Sequence, residues 1–306
     1  MIVTEWALVA FTILAQMSVG SFWVLGFVHL YATRKAGEQE ADRLSDRALL
    51  VVGGLLILGL VASLFHLGDP LNSFRAVSNL GSSWLSREIF SGVLFAVLGG
   101  LFTLMQWRKI GTFTVRTIVA LLAGIVGLGL ITSMSSVYML PTQPSWNTAA
   151  TPILFFTTTF LLGLLAMGAT FVANFATLRG KEGEDLAAQT ELLRGTLRWI
   201  STAAILLLGV ELIVAPLYLA SLSSGGLAAQ AAASLMINDY GAVMTLRLIL
   251  AFLGLAIIAA FLYLGATEKT TTKVLGYLVF AAFALVLVGE VLGRYLFYAS
   301  QVSIGI

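Results

Sequence analysis

The chain has 306 residues, of which 59% are hydrophobic and only 10% are charged. Soluble globular proteins carry about 25% charged residues, so this composition excludes an ordinary water-soluble domain. The sequence has no cysteine, which excludes disulfides, thiolate zinc sites, cysteine-bound iron–sulfur clusters and a thiol nucleophile in this chain. The net charge of +2 is too small to suggest a nucleic-acid partner.

Long apolar runs recur along the sequence and predict an all-α, polytopic membrane protein. About 20 apolar residues in a helix cross a hydrocarbon core about 30 Å thick. Eight segments meet this condition: 6–31, 48–67, 88–107, 115–140, 149–178, 197–220, 241–265 and 274–298. We expect an eight-helix bundle in which residues 1–306 form a single membrane domain, because no polar linker and no convincing repeat divides the chain.

The basic residues predict the orientation of the bundle, since Lys and Arg in short loops stay on the cytoplasmic side. Thirteen of the 17 Lys and Arg residues follow the odd-numbered spans. This pattern predicts that both termini lie on the outer, periplasmic side of the cytoplasmic (inner) membrane. The segments 36–47 and 180–195 mix charged with apolar residues, so short interfacial helices are expected there.

The remaining charged and polar residues of interest collect near the predicted outer ends of the spans. A charge at the centre of a bilayer costs about 2.5–3.5 kcal/mol on insertion scales and is normally kept for a bundle interior or a functional site. An alternative is structural, because Glu290 and Arg294 lie four residues apart and could pair, and Glu88 could stabilise a helix N-terminus. The set comprises Ser63, His66, Asp69, Arg75, Arg87, Glu88, Glu211, Asp239, Tyr240, Arg247, Glu290 and Arg294.

The two histidines carry different expectations. An imidazole has an unperturbed pKa of about 6.5 and can accept a proton from a phenolic hydroxyl, so His66 at the outer mouth would suit an amphipathic quinol. The alternative for His66 is an ordinary interfacial side chain. His29 lies at the opposite end and is expected to be interfacial, so a bis-histidine haem, which needs both at one depth, is not expected.

Four polar stretches resemble the membrane anchor subunit of the dimethyl sulfoxide (DMSO) reductase family, and they occur in matching order. The resemblance covers nearly the whole chain. The stretches are SLFHLGDP at 63–70, RAVSNLGSSWLSREIFSG at 75–92, DYGAVMTLR at 239–247 and GEVLGRYLFY at 289–298.

The resemblance implies a cofactor-free anchor, without haem, iron–sulfur cluster or metal, that oxidises menaquinol. Electrons would pass to a four-cluster, ferredoxin-like iron–sulfur subunit and then to a molybdopterin catalytic subunit on the outer face. His66 matches the histidine associated with quinol in this family, and Glu88 and Glu290 are candidates for proton transfer. The other predicted quinol-binding residues are Ser63, Asp69, Arg75, Glu211, Tyr240, Arg247 and Arg294.

Two other classes of function remain open from the sequence. A purely structural anchor would need no quinol chemistry. A transporter or proton channel would use intramembrane acids, but transporters tend to place polar groups near the bilayer midplane and often show inverted repeats. The outer loops 68–87, 141–148 and 221–240 are expected to form the docking platform for the partner.

Overall fold

The computed structural model describes the backbone of residues 3–66, 77–178, 186–266 and 272–304 and most side chains within these ranges. Ten α-helices and no strand occur there. They are α1 (Val3–Ala36), α2 (Glu38–Ser45), α3 (Ala48–His66), α4 (Trp84–Arg108), α5 (Phe113–Tyr138), α6 (Ala150–Leu178), α7 (Ala187–Ser223), α8 (Leu227–Ser234), α9 (Gly241–Ala266) and α10 (Thr272–Ala299). A 3₁₀ turn covers Val77–Asn79 and a π-helical turn covers Leu235–Asp239.

The predicted all-helical, multi-pass class is confirmed. Among the described residues, seven helices are long and apolar enough to cross a membrane: α1, α4, α5, α6, α7, α9 and α10. The described apolar part of α3 is the shorter stretch Val51–Ser63, so the eighth span stays a prediction.

Several helix boundaries differ from the predicted spans for local reasons. Helix α4 begins at Trp84 rather than at residue 88, because the Ser83 hydroxyl accepts a hydrogen bond from the Ser86 amide at 3.2 Å and caps the helix. Helix α7 begins at Ala187, ten residues before the predicted 197, and continues through Pro216. The short helix expected within 36–47 is α2.

Helices α1 and α6 form the centre of the bundle. Helix α1 packs against α2, α3, α5, α6, α7 and α10, and α6 contacts most of the same helices. The two helices approach closely at Gly20 and Gly163: a Cβ added to Gly20 would overlap the Thr159 carbonyl oxygen, and one added to Gly163 would overlap the backbone of Gly20. Small residues permit this approach, which van der Waals packing then stabilises without a hydrophobic driving force.

We therefore expect Gly20→Ala to lower the free energy of unfolding by about 1–3 kcal/mol, since the added methyl group must force the helices apart. Gly100→Ala is the control, because a Cβ there meets open space. The control should be neutral, or more stable by up to about 1 kcal/mol through helix propensity. Unfolding of both variants in detergent micelles checks this, and equal stability of the two would contradict the close approach.

We call the end of the bundle at which α2 lies the basic end. The connections between helices at this end carry 13 of the 17 Lys and Arg residues. Asp42 in α2 accepts hydrogen bonds from Gln106 at 2.7 Å and Arg116 at 3.1 Å, and it pairs with Lys109 at 3.0 Å. Burial acts to raise the pKa of the Asp42 carboxyl. The hydrogen bonds from Gln106 and Lys109 and the charges of Lys109 and Arg116 outweigh it and hold that pKa below its usual value.

His29 corrects one expectation, because it is buried rather than interfacial. Its Nδ1 lies 3.1 Å from Thr117 Oγ1 and its Nε2 lies 2.7 Å from Ser45 Oγ. Helix α2 covers the end of α1 in which His29 lies, so this imidazole becomes a link between α1, α2 and α5.

Asp42→Asn should destabilise the protein by about 1.5–3 kcal/mol at neutral pH, the usual worth of hydrogen bonds to a charged group. An ionised carboxyl with a lowered pKa stabilises the folded state above the unfolded pKa of about 3.9, and the stabilisation is lost as the pH falls through the folded pKa. The wild-type advantage should thus shrink below about pH 4. Asp46→Asn is the control: Asp46 is exposed and pairs with Lys109 at 2.6 Å, so its loss should cost at most about 1 kcal/mol. An Asp42→Asn penalty that does not change with pH would contradict this account.

Candidate functional site

At the end opposite α2, buried charges from three helices meet. Arg247 of α9 donates a hydrogen bond from Nη2 to Glu211 Oε1 of α7 at 3.1 Å. Glu211, Glu290 and Arg294 are only 4%, 5% and 5% exposed. A Cβ added to Gly293 of α10 would lie 2.6 Å from Arg247 Nε, so a glycine at this position leaves room for the guanidinium.

Glu290 and Arg294 do not form the ion pair that their spacing suggested; in the described structure each reaches a different helix. Thr158 of α6 donates from Oγ1 to Glu290 Oε2 at 2.6 Å. Arg294 donates from Nη2 to Gln16 Oε1 of α1 at 2.8 Å, and its guanidinium carbon lies 3.7 Å from the centroid of the Phe155 ring. These contacts tie α10 to both central helices.

This cluster, formed by Glu211, Arg247, Glu290 and Arg294, encloses little space. The cavity that these four side chains line together with Thr158 has a volume of about 50 Å³. That is room for water, whereas pockets for organic ligands measure about 300–1,000 Å³. The arrangement can hold and relay protons between carboxyl groups, but in this conformation it does not admit a ring.

A larger cavity, of about 250 Å³, lies between α1, α3, α4 and α5 at the same end of the bundle. Its described lining is mostly apolar and includes three polar side chains, Ser18, Ser63 and Glu88. Ser18 is 1% exposed, and its hydroxyl has no hydrogen-bond partner within the described ranges. A buried polar group without a partner is costly, so this hydroxyl is available to a bound polar atom.

Two tyrosines lie between the carboxylate cluster and the larger cavity. The hydroxyl oxygens of Tyr138 in α5 and Tyr298 in α10 are 2.9 Å apart. Both rings are close enough to Glu88 and to Arg294 to interact with them electrostatically. Trp146 holds this region in place, since its indole donates to the Phe297 carbonyl at 2.7 Å.

The predicted site residues thus fall into two groups. The structure brings Glu211, Arg247, Glu290 and Arg294 together in one cluster and places Ser63 with Glu88 at the larger cavity. His66 is the last residue of α3, one turn beyond Ser63, but its side chain lies outside the described residues, as do Asp69 and Arg75.

Two further predicted positions lie apart from both groups. The Tyr240 ring packs against the Tyr295 ring, with 5.8 Å between their centroids, and Tyr240 lines neither cavity. Arg87 donates to the carbonyls of Leu80 and Gly81, each at 2.8 Å, and so holds the turn before α4 rather than a carboxylate.

Sequence reasoning missed Gln16, Ser18, Tyr138 and Thr158. Gln16 and Ser18 interrupt an apolar run, and polar side chains within a membrane span mark interior positions, so this signal was available. Tyr138 lies at the end of its span, where tyrosine is common for interfacial reasons alone, so its role depended on the tertiary structure.

These features define a multi-pass helical membrane protein with a buried polar network at one end. The sequence profile of the DMSO reductase anchor subunit (DmsC) family matches residues 1–300, and the protein belongs to this family. It is therefore a membrane anchor subunit, and the family implies that the catalytic reaction belongs to another subunit.

Individual relatives agree with this assignment. The sequence is 30% identical to the C chain of anaerobic dimethyl sulfoxide reductase from Escherichia coli K12, over 98% of this protein and 96% of the relative. It is 29% identical to the YnfH chain of anaerobic dimethyl sulfoxide reductase from the same organism, with the same coverage. A stretch of 60 residues is 45% identical to the C subunit of sulfite dehydrogenase from Allochromatium vinosum, over 20% of this protein and 18% of the relative.

Arg247→Met should destabilise the protein by about 3–5 kcal/mol, because it leaves the buried Glu211 carboxylate without its cation. Combining it with Glu211→Leu should recover much of that loss, since the uncompensated charge is removed. Unfolding of the single and double variants in micelles checks the coupling. Arg87→Met serves as the control, as it removes an arginine that contacts two backbone carbonyls and the Trp84 ring rather than a carboxylate. Additive losses from the two substitutions would show that Arg247 and Glu211 do not depend on each other.

Proposed function

We propose that this anchor subunit oxidises menaquinol at the larger cavity and delivers the electrons to a partner subunit. Oxidation of one quinol releases two protons and two electrons. The electrons would pass to a four-cluster, ferredoxin-like iron–sulfur subunit and from there to a molybdopterin catalytic subunit. The observation that carries the proposal is the apolar cavity beside the end of α3, lined by Glu88, Ser63 and an unpartnered Ser18 hydroxyl.

The cavity suits an amphipathic ligand with a ring and a hydrocarbon tail. Its volume of about 250 Å³ is close to the lower limit of about 300 Å³ for small-molecule pockets, so slight separation of α3 and α4 would admit a quinol ring. Leu60, Leu85 and Val93 line the cavity and are also exposed on the outside of the bundle. This lining lets the tail leave toward lipid between α3 and α4.

His66 and Glu88 are proposed to accept the two quinol protons, one from each hydroxyl. Both belong to elements that border the cavity, and Glu88 has no hydrogen-bond or ion-pair partner among the described side chains. Ser18 would hydrogen-bond a quinol oxygen and position the ring. Tyr138 and Tyr298, 2.9 Å apart, would link Glu88 to the cluster of Glu290 and Glu211, which would take up or relay protons.

The proposed topology has eight spans, both termini in the periplasm, and the basic end in the cytoplasm. The partner would dock on loops 68–87, 141–148 and 221–240, where Trp84 and Trp146 lie. The quinol and the partner then share one side of the membrane. Protons and electrons leave on that side, so quinol oxidation itself should move no net charge across the bilayer. A membrane-potential dye in proteoliposomes tests this expectation. A potential generated by quinol-driven turnover would contradict it.

The quinol-driven turnover of the complex with Glu88→Gln should fall about 10²–10⁴-fold, the usual contribution of a general base.

Ser18→Ala should weaken the apparent affinity for quinol about five- to tenfold, the worth of one hydrogen bond of about 1 kcal/mol. Ser21→Ala is the matched control, because that hydroxyl bonds to Met17 of its own helix at 2.7 Å and does not line the cavity.

Two readouts separate chemistry from assembly. Turnover driven by a water-soluble artificial donor, which reduces the partner subunits directly, should stay unchanged in every variant. If complexes with Glu88→Gln and His66→Ala assembled normally and kept full quinol-driven turnover, the protein would be a structural anchor only.

A further inference from the structure

A second large cavity lies at the basic end, far from the candidate quinol cavity, and among the described residues it encloses about 1130 Å³. Its described lining comes from α1, α6, α7, α9 and α10. This volume exceeds the range of about 300–1,000 Å³ that is typical of pockets for drug-sized ligands. The cavity is therefore large enough for an occupant with more than a single ring system.

The charged lining of this cavity is strongly basic. It comprises Lys35, Arg194, Arg198 and Lys273, with Glu191 as the only acid among the described lining residues. Lys35 pairs with Glu191 at 3.0 Å. Within the described part of the protein, the other three cations have no ion-pair or hydrogen-bond partner. The cavity thus presents an excess of positive charge.

The charge lies at one end of the cavity and gives way to apolar surface along the helices. On α7 the lining passes from Arg194 and Arg198 to Leu206, which is 67% exposed on the outside of the bundle. On α10 it passes from Lys273 to Tyr277, which is 64% exposed. Since these helices belong to a membrane protein, the apolar part of the cavity opens sideways toward lipid.

We propose that this cavity binds an anionic phospholipid from the surrounding membrane. The phosphate lies among Arg194, Arg198 and Lys273, and the acyl chains follow Leu206 and Phe280 into the apolar part. Basic pockets between membrane helices on the cytoplasmic side bind anionic head groups, and a guanidinium matches phosphate oxygens in a bidentate manner. A neutral quinol would leave three cations unmatched, and a free phosphate would leave the apolar lining empty. The proposal does not rest on the proposed quinol chemistry.

The test uses the full-length protein, purified in detergent and stripped of lipid. Thermal unfolding is followed after addition of micelles containing phosphatidylglycerol, micelles containing phosphatidylcholine, or inorganic phosphate. We expect phosphatidylglycerol to raise the unfolding temperature and the other two additions to leave it unchanged. The double variant Arg194→Gln/Arg198→Gln should lose that increase. Arg108→Gln should keep it, since Arg108 is also basic and belongs to α4, which does not border the cavity.

Each alternative result overturns the proposal in a distinct way. An equal effect of phosphatidylcholine would mean that the head-group charge is not recognised. An equal effect of inorganic phosphate would indicate a simple anion site, and stabilisation by menaquinone that depends on Arg194 and Arg198 would indicate a second quinone site. If the double variant did not fold, Lys273→Gln alone would replace it, and an undiminished response to phosphatidylglycerol there would count against the lipid.

Discussion

Hydrocarbon offers no water to a buried charge, so a charged side chain within the bundle is costly unless it finds partners on neighbouring helices. Arg294 meets this constraint with the Gln16 amide and the face of Phe155, and Glu211 meets it with Arg247. The close crossing of α1 and α6 makes these contacts possible, because it brings Gln16 and Phe155 to one place: Gln16 also donates to the Phe155 carbonyl at 2.8 Å. The polar network and the helix packing therefore depend on each other.

The two groups of polar residues have different physical characters. The cluster around Glu290 is closed, with space only for water, and its charged side chains have partners within the bundle. The cavity around Glu88 is larger, mostly apolar and contains a polar group without a partner. A closed cluster whose side chains have partners is suited to holding protons and fixing helices. A cavity with an unpartnered polar group is suited to receiving a ligand. The proposed function assigns the two groups accordingly, with the tyrosine pair between them.

The end of the bundle at which these residues lie could be predicted from the sequence, but their partners could not. A helix rises 1.5 Å per residue, so the position of Glu211, Arg247, Glu290 or Arg294 within its apolar run is enough to estimate its depth. Partner choice depends on which helices are neighbours. The i, i+4 spacing suggested an ion pair between Glu290 and Arg294. Instead, Glu290 bonds to Thr158 and Arg294 bonds to Gln16, each on another helix. His29 shows the same limit, because its burial depends on how α2 folds back.

The charged side chains at the two ends of the bundle differ in their exposure, and this difference bears on both proposals. At the basic end, pairs such as Lys109 with Asp46 are partly exposed and need little protein around them. At the opposite end, the charged side chains of the cluster enclose a cavity of only about 50 Å³. Proton-coupled chemistry requires a confined path from ligand to solvent, and the enclosed cluster provides groups for one. A lipid phosphate requires accessible cations beside apolar surface, and the large cavity at the basic end provides them. The same asymmetry of basic residues that predicts the orientation of the protein thus separates the proposed lipid site from the proposed quinol site.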